Sequence, residues 1–205
     1  MKLVIALISG GIDSPVATYM VGRLGYKIIP INFDNAPFSS ELNKKKAKDC
    51  VEILKKRIEI DDLLVIPHDN NLLEISKNCD RKYTCVLCRR IMFRIAEKIC
   101  EKLGAEAIVT GEFLGSKASQ TLQNMKVISQ SVKIPIIRPL LGMDKEEIQR
   151  IGREIGTFYQ GISPAGCCSV VPDKPSTKAR MEKIIEEEAK IDIEKMVTKS
   201  IKNIK

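Results

Sequence analysis

A glycine turn near the start of the chain carries residue types that bind phosphate. The apolar run Leu3 to Ile8 precedes Ser9-Gly10-Gly11-Ile12-Asp13-Ser14, and a helical pattern follows. Glycines let backbone N–H groups approach an anion, and Asp13 or Ser14 can cap the next helix, whose first turn contains Pro15. The order of strand, turn and helix therefore predicts a phosphate site. It is not the Walker type, because no Gly-Lys-Ser/Thr closes the turn.

Cysteines form the second group of reactive residues, and the chain has seven. Cys85 and Cys88 are a C-x-x-C pair at the entrance of a predicted helix, where the helix dipole favours thiolates. Cys167 and Cys168 are adjacent in a later loop that contains proline and glycine. Because neighbouring cysteines rarely ligate one ion together, we expect this loop to add one ligand.

The ligand count distinguishes the kinds of metal site. Three thiolates without a clear fourth ligand argue against a closed zinc site and suit a 4Fe-4S cluster with one open iron. A redox C-x-x-C pair is an alternative, although no thioredoxin-like context surrounds it. His68, the single histidine, is interpreted as a loop or core residue. Cys50, Cys79 and Cys100 are interpreted as packing residues.

The elements that position these residues follow from short apolar runs that alternate with helical patterns. Such runs, rich in Val, Ile and Leu, are typical of parallel strands covered by helices on both faces, so we predict an α/β fold with a doubly wound parallel sheet. The predicted strands are Leu3 to Ile8, Lys27 to Ile31, Leu63 to Ile66, Ala107 to Val109 and Ile134 to Ile137. The predicted helices are Pro15 to Leu24, Ser39 to Ile58, Cys88 to Leu103, Lys117 to Gln130, Asp144 to Ile155 and Thr177 to Asn203.

In a sheet of this kind, ligands lie at the carboxyl ends of the strands. The glycine turn, Asn32-Phe33 and Thr110-Gly111-Glu112 each follow a predicted strand. We therefore expect them along one crevice. We expect one domain over residues 1–205, with a core over 1–175 and a C-terminal helix over 176–205 that packs on the core or serves a partner subunit, as in a homodimer.

The charge of the chain suits a polyanionic partner. Its net charge is +8, and basic residues are concentrated between Lys44 and Arg57. A nucleic-acid surface and a solvated helix face are both open readings of this cluster, whereas the 4% aromatic content argues against a stacking platform for single strands. No apolar run approaches the roughly 18 residues of a membrane span. We therefore expect a cytoplasmic protein with reduced cysteines.

Five motifs in order give the chain a family resemblance: SGGIDS, PFSS, CVLCRRIMFRIAEKI, VTGEFLGSKASQTLQN and IIRPLLGMDKEEI. The chain resembles the catalytic domain of the tRNA 4-thiouridine synthetases, or tRNA sulfurtransferases (thiamine biosynthesis protein ThiI family). These are PP-loop ATP pyrophosphatases of the adenine nucleotide alpha hydrolase-like fold. The chain departs from the family pattern at Asn32, commonly a histidine, and at Ser116-Lys117, commonly Gln-Val.

The resemblance implies a site for ATP and Mg²⁺ and specific residue roles. Asp13 and Lys145 would assist adenylation, and Cys168, with Cys167 as the alternative, would be the catalytic cysteine. Cys85, Cys88 and Cys168 match the cluster ligands of iron–sulfur members. The residues expected at the ATP site, from the glycine turn or from the resemblance, are Leu7, Ile8, Ser9, Gly10, Gly11, Asp13, Ser14, Asn32, Phe33, Arg89, Gly111 and Gln120.

The implied reaction is the ATP-dependent adenylation of a carbonyl oxygen, most simply uracil O4 of tRNA, followed by its replacement with sulfur to give 4-thiouridine. Members that act alone on tRNA carry a THUMP module, and many bacterial members carry a rhodanese domain. Since the chain starts almost on the first strand and ends after the last helix, we expect a separate RNA-binding module and sulfide or a persulfide carrier. The alternatives are a PP-loop enzyme with another acceptor and a cluster-carrying, ATP-binding subunit.

Overall fold

Five parallel strands form a sheet in the computed structural model, which describes residues 2–162 and 168–202. They are β1 (Leu3–Leu7), β2 (Lys27–Asp34), β3 (Leu64–Pro67), β4 (Ile108–Thr110) and β5 (Ile136–Ile137). Their spatial order is β3-β2-β1-β4-β5. The sequence predicted all five, and the order places a topological switch point between β1 and β4, where such sheets bind ligands.

The central strand β1 shows why the sheet is covered on both faces. Side chains alternate between the two faces along a strand, so successive residues of β1 belong to different cores. Ile5 and Leu7 lie in one hydrophobic cluster, whereas Val4, Ala6 and Ile8 lie in the other. A strand buried on both faces must be apolar at every position, and this requirement produces the continuous run in the sequence.

Helices cover both faces of the sheet, which confirms the predicted doubly wound α/β fold. They are α1 (Asp13–Gly22), α2 (Leu42–Leu54), α3 (Asp69–Asn78), α4 (Thr84–Leu103), α5 (Leu122–Ser129), α6 (Lys145–Ile155), α7 (Phe158–Ile162), α8 (Met181–Glu188) and α9 (Ile193–Ile201). Buried residues of α1, α2 and α6 join one cluster, and those of α3, α4, α5, α8 and α9 join the other. No helix in the described ranges combines the length and apolar character that a membrane crossing requires.

The helix boundaries differ from the sequence prediction at several places. Helix α4 begins at Thr84, so both Cys85 and Cys88 lie in its first five residues. The predicted helix from Lys117 divides into a 3-10 turn, Ala118–Gln120, and α5. The division occurs at Thr121, whose side chain accepts the N–H of Asn124 and caps α5. Helices α3 and α7 were not predicted.

The C-terminal segment forms two helices where the sequence predicted one. Asp192 begins α9 by accepting the N–H of Lys195, and this cap interrupts the helical pattern. The apolar residues Ile184, Met196 and Val197 lie in the core beside α4. The packing role predicted for this segment is therefore confirmed, and it brings the segment against the helix that carries Cys85 and Cys88.

A buried ion-pair cluster fastens α8 to α4. The Nε of Arg90 lies 2.8 Å from Oε1 of Glu188, and Nη2 of Arg94 lies 3.0 Å from its Oε2. Arg90 is 2% exposed and also donates to the carbonyl of Val127. Burial alone would raise the pKa of Glu188, but the hydrogen bonds from Arg94 and Arg90 outweigh it and lower that pKa. The cluster therefore favours the ionised carboxylate.

We predict that Glu188→Gln lowers the free energy of unfolding by about 3 kcal/mol near neutral pH, because it leaves two guanidinium groups without their anion. A lowered folded-state pKa stabilises the protein above the ordinary carboxyl pKa of 4.5, and this contribution is lost as the pH falls through the lowered value. The difference between wild type and variant should therefore shrink at acidic pH. Urea unfolding at both pH values measures it.

The control is Glu186→Gln in the same helix, whose partner Lys183 is exposed. It should leave stability nearly unchanged. Equal effects of the two substitutions would contradict the role of Glu188.

Candidate active site

The glycine turn is closed by a contact between its two ends. The Oγ of Ser14 accepts the N–H of Ser9 at 2.8 Å and lies 3.0 Å from the Oγ of Ser9. Helix α1 starts at Asp13, and Ile12 precedes it without a side-chain cap. The expectation that Asp13 or Ser14 caps α1 is therefore wrong, because Ser14 is used to close the loop. The first N–H groups of α1 have no partner within the helix and face the turn.

The glycines of the crevice have different roles. A Cβ on Gly10 would lie 2.9 Å from the carbonyl oxygen of Asn43, and one on Gly111 would lie 2.5 Å from the backbone N of Ser14. These two positions are glycine because backbones pack there. A Cβ on Gly11 would meet only the Oγ of Ser9, at 3.4 Å. Gly11 is thus the glycine of the turn that borders open space.

Asp13 and Lys145 meet at the mouth of this turn. The Nζ of Lys145 lies 2.5 Å from Oδ1 of Asp13 and 5.1 Å from the ring centroid of Phe113. Lys145 is the first residue of α6, which Asp144 caps by accepting the N–H of Glu147. Two residues that the sequence analysis predicted to act together are therefore in contact, although 132 positions separate them.

The residues predicted around the ends of β1 and β2 form the floor of the crevice. Leu7 and Ile8 are buried. The side chain of Asn32 is also buried, and its Nδ2 donates to the carbonyl of Ile8 at 2.8 Å. Phe33 packs its ring edge-on against His68 at 5.3 Å. Asn32 therefore ties β2 to the start of the turn, and its amide nitrogen is occupied in doing so.

A buried carboxylate, which the sequence analysis placed along the crevice without giving it a role, organises the β4 side. Glu112 is fully buried; its Oε1 accepts from Arg89 at 2.6 Å, and its Oε2 accepts from Arg138 at 2.8 Å. Burial alone would raise the pKa of Glu112, but Arg89 and Arg138 hold that pKa below its usual value. The sequence feature that could have identified Glu112 is its position just after β4, at the edge of the sheet where ligands bind.

Arg89 has one buried hydrogen-bond donor, its Nε, without a partner among the described residues. An unpaired buried donor is costly unless something binds it. Gln120 was also predicted at the site. Its Oε1 accepts the N–H of Phe113 at 3.3 Å, and this hydrogen bond closes the loop after β4. Arg89 is thus the side chain here with a free donor.

The structure places Cys85 and Cys88 at the start of α4 and Cys168 close enough to interact with them. Burial raises the pKa of the Cys88 thiol, and charges on Cys168 and Cys85 raise it further. The chain around Cys168 is anchored by the N–H of Ser169, which donates to the carbonyl of Phe38 at 2.7 Å. Cys167 lies outside the described residues.

The three sulfurs do not form a closed metal site. Within the part of the chain that the structure describes, no three histidine, cysteine, aspartate or glutamate side chains converge closely enough to hold a metal ion. Cys85, Cys88 and Cys168 are all half-buried free thiols. The assignment of these three as cluster ligands therefore stays a prediction.

The remaining described cysteines are packing residues, as the sequence analysis expected. Burial raises the pKa of Cys50 and Cys100 to about 12 and that of Cys79 to about 11. Thiols with such values are inert near neutral pH. His68 is also buried, which confirms its reading as a core residue, and burial lowers its pKa to about 3. Its contact with Cys88, at 3.4 Å, was not expected.

We predict that Gly111→Ala destabilises the protein by about 1–3 kcal/mol, because the new methyl group overlaps the backbone of Ser14. For a chain of this size, each kcal/mol lowers the melting temperature by about 2–4 °C. Gly142→Ala is the matched control, since its Cβ would meet nothing within 4 Å. Thermal unfolding of both variants measures the effect. A melting temperature of Gly111→Ala equal to that of the control would show that the approach is not tight.

The chain is similar to two proteins described as probable tRNA sulfurtransferases. The protein of Methanosarcina acetivorans is 40% identical over 203 residues, which cover 98% of this chain and 49% of the relative. That of Thermoanaerobacter sp. is 42% identical over 193 residues, which cover 93% of this chain and 51% of the relative. The chain thus spans about half the length of the curated relatives it matches.

The chain is also similar to a solved structure and matches a family model. The crystal structure of a 4-thiouridine synthetase–RNA complex with bound ATP superposes with a TM-score of 0.92 at 35% identity. The match covers 98% of this chain and 54% of that one. The model of the family described as Thiamine biosynthesis protein (ThiI) matches residues 2–193. The resemblance found in the sequence is confirmed, and the chain belongs to the ThiI family.

Proposed function

We propose that this chain is the ATP-dependent catalytic domain of a tRNA sulfurtransferase that converts uridine to 4-thiouridine. The observation that carries the proposal is the contact of Lys145 with Asp13 at 2.5 Å, beside a glycine turn at the switch point of the sheet. The family and the solved 4-thiouridine synthetase support ATP and tRNA as the substrates. A small-molecule acceptor is the alternative.

The groups that line the crevice suit a nucleoside triphosphate. Open space beside Gly11 admits the phosphates, and the first N–H groups of α1 point toward them. The side chain of Arg89, which Glu112 holds in place and which stays partly exposed, supplies a further positive charge. Lys145 would turn from Asp13 to the phosphoryl oxygens, and Asp13 would hold it in place until then. Mg²⁺, where bound, would neutralise charge on the departing pyrophosphate.

The proposed reaction has two displacements. The uracil O4 attacks the α-phosphorus of ATP, and the bond to the bridging oxygen breaks to release pyrophosphate. Hydrosulfide then attacks C4 of the adenylated base, the C4–O bond breaks to release AMP, and loss of the sulfur's proton leaves the thiocarbonyl. Adenylation is needed because a uracil oxygen leaves poorly. In the first step, Lys145 and the N–H groups of α1 stabilise the charge that develops on the phosphate oxygens.

The thiols of Cys85, Cys88 and Cys168 fit an iron–sulfur cluster by donor type, and Cys85 and Cys168 are near enough to Cys88 to raise its pKa. We propose that they hold a 4Fe-4S cluster, whose open iron would bind sulfide. Cys168 is also the proposed catalytic cysteine, and a persulfide carrier is the alternative sulfur source. Helix α4 supplies a positive N-terminus that favours the thiolate forms of Cys85 and Cys88.

The basic cluster on α2 is smaller than the sequence suggested. Lys46 is buried, and Lys44 pairs with Asp34 at 2.7 Å. Lys45, Lys48 and Lys56 are exposed and are available for phosphate contacts. Phosphate contacts position a nucleic acid but carry no sequence information. We therefore propose that specificity for tRNA comes from a separate RNA-binding module or from a second copy of the chain.

We predict that Lys145→Ala lowers the rate of tRNA-dependent pyrophosphate release by roughly 100-fold, as expected for the loss of one group that stabilises developing charge. Asp13→Ala should abolish release. Lys98→Ala is the control, because Lys98 is an exposed partner of Glu101 on the far part of α4. Pyrophosphate is measured with unmodified tRNA, and 4-thiouridine is measured by mass spectrometry of nucleosides. Full release by Lys145→Ala, or release that does not depend on tRNA, would contradict the proposal.

We also predict that anaerobically purified protein contains iron and sulfide, and that replacing Cys85, Cys88 or Cys168 by serine removes the iron. Cys100→Ala should retain it, because Cys100 packs in the core. Iron and sulfide analysis with the absorption spectrum provides the measurement. Stoichiometric zinc without iron would refute the cluster, and iron loss in Cys167→Ser but not in Cys168→Ser would refute the choice of ligand.

A further inference from the structure

A buried histidine lies against one of the proposed ligand cysteines. His68 follows β3, and its backbone N–H donates to the carbonyl of Asp34 at 2.8 Å, which fixes it beside the end of β2. The ring is fully buried and packs against the edge of Phe33. Its Nε2 lies 3.4 Å from the Sγ of Cys88. The direction of this hydrogen bond depends on which ring nitrogen carries the proton.

A chain of hydrogen bonds from α9 settles the position of that proton. The hydroxyl of Ser200 donates its single proton to the carbonyl of Met196 at 2.9 Å. Its contact with Asn71 at 2.9 Å must therefore be one in which Ser200 accepts. The atom of Asn71 at this contact is consequently the amide nitrogen, Nδ2, which has a second proton.

The second proton of Asn71 points to the histidine. The same Nδ2 lies 3.1 Å from Nδ1 of His68. A nitrogen that receives a hydrogen bond must offer a lone pair, so Nδ1 is unprotonated. An imidazole with a free Nδ1 is neutral and carries its proton on Nε2. This proton is directed at the sulfur of Cys88.

We propose that His68 is a positioning residue for Cys88, whose sulfur accepts a hydrogen bond from the Nε2–H that Asn71 and Ser200 enforce. The proposal deepens the proposed function, since the role of Cys88 as a ligand is itself part of that proposal. The bond is strongest to the thiolate, because charge-assisted hydrogen bonds exceed neutral ones. It therefore fixes the direction in which the sulfur offers its lone pairs.

The first test determines the tautomer in the metal-free protein. The chain contains a single histidine, so a long-range proton–nitrogen NMR spectrum shows one imidazole and needs no assignment. We expect the pattern of the Nε2–H tautomer. Asn71→Asp should convert it to the Nδ1–H pattern, because a carboxylate accepts hydrogen bonds and cannot donate one to Nδ1. The Nδ1–H pattern in the unaltered protein would overturn the inference.

The second test measures the effect on the sulfur with Zn²⁺ as the probe. His68→Leu should bind Zn²⁺ about 10–100-fold more weakly, as is usual when a partner of a metal ligand is lost. His68→Gln should recover part of the affinity, because its amide N–H can replace the donor. A purely structural role for His68 would weaken both variants equally, and equal affinities would overturn the inference.

These tests separate the inference from the proposed function. The NMR result is obtained without any metal, so it stands or falls independently of the cluster. An Nε2–H tautomer in a protein that binds no iron would refute the cluster and support the hydrogen bond. An Nδ1–H tautomer in a protein that holds iron would refute the hydrogen bond and leave the cluster intact.

Discussion

The close approach of Gly111 to Ser14 is the constraint on which the crevice depends. Any side chain at residue 111 would lie 2.5 Å from the backbone of Ser14, so two loops meet there without a side chain between them. They follow β1 and β4, the neighbouring strands at which the order of the sheet reverses. Because the loops pack this tightly, the N-terminus of α1 is fixed against the end of β4. This packing fixes the position of the turn, which would reduce the ordering cost of the proposed anion binding.

This constraint also places the next residue in the chain. Glu112 follows Gly111 directly and is buried in the interior, where it forms ion pairs with Arg89 and Arg138. Arg89 adjoins Cys88 in α4, so a single buried carboxylate joins the phosphate side of the crevice to the thiol side. A buried charge is tolerated only when it is paired. The ion pairs therefore hold Arg89 and Arg138 at fixed positions relative to Glu112. An adenylated base and its attacking sulfur require this kind of fixed separation.

The sequence predicted the sheet well because burial on both faces leaves continuous apolar runs, as in β1 and β2. It predicted Asp13 and Lys145 only through motifs, since nothing local indicates that α6 returns to the glycine turn. It missed α3 because that helix is short and mostly polar. It assigned both glycines of the turn to the ligand, and it did not foresee that a Cβ on Gly10 would also lie 2.9 Å from the carbonyl oxygen of Asn43 on another helix. Roles set by a distant backbone leave no periodic pattern and could not be predicted.

The cysteines show how one residue type takes two roles in one fold. Cys50, Cys79 and Cys100 are buried among apolar side chains, and burial is the largest of the causes that raise their pKa values far from neutrality. Cys88 experiences the same penalty, and the other two thiols add to it. Its environment differs by two features, its place in the first turns of α4 and its contact with the ring of His68. Those features come from α4 and from the Asn71–Ser200 contact that joins α3 to α9. The C-terminal helices therefore support the thiol site through the proton on one imidazole, in addition to packing against the core.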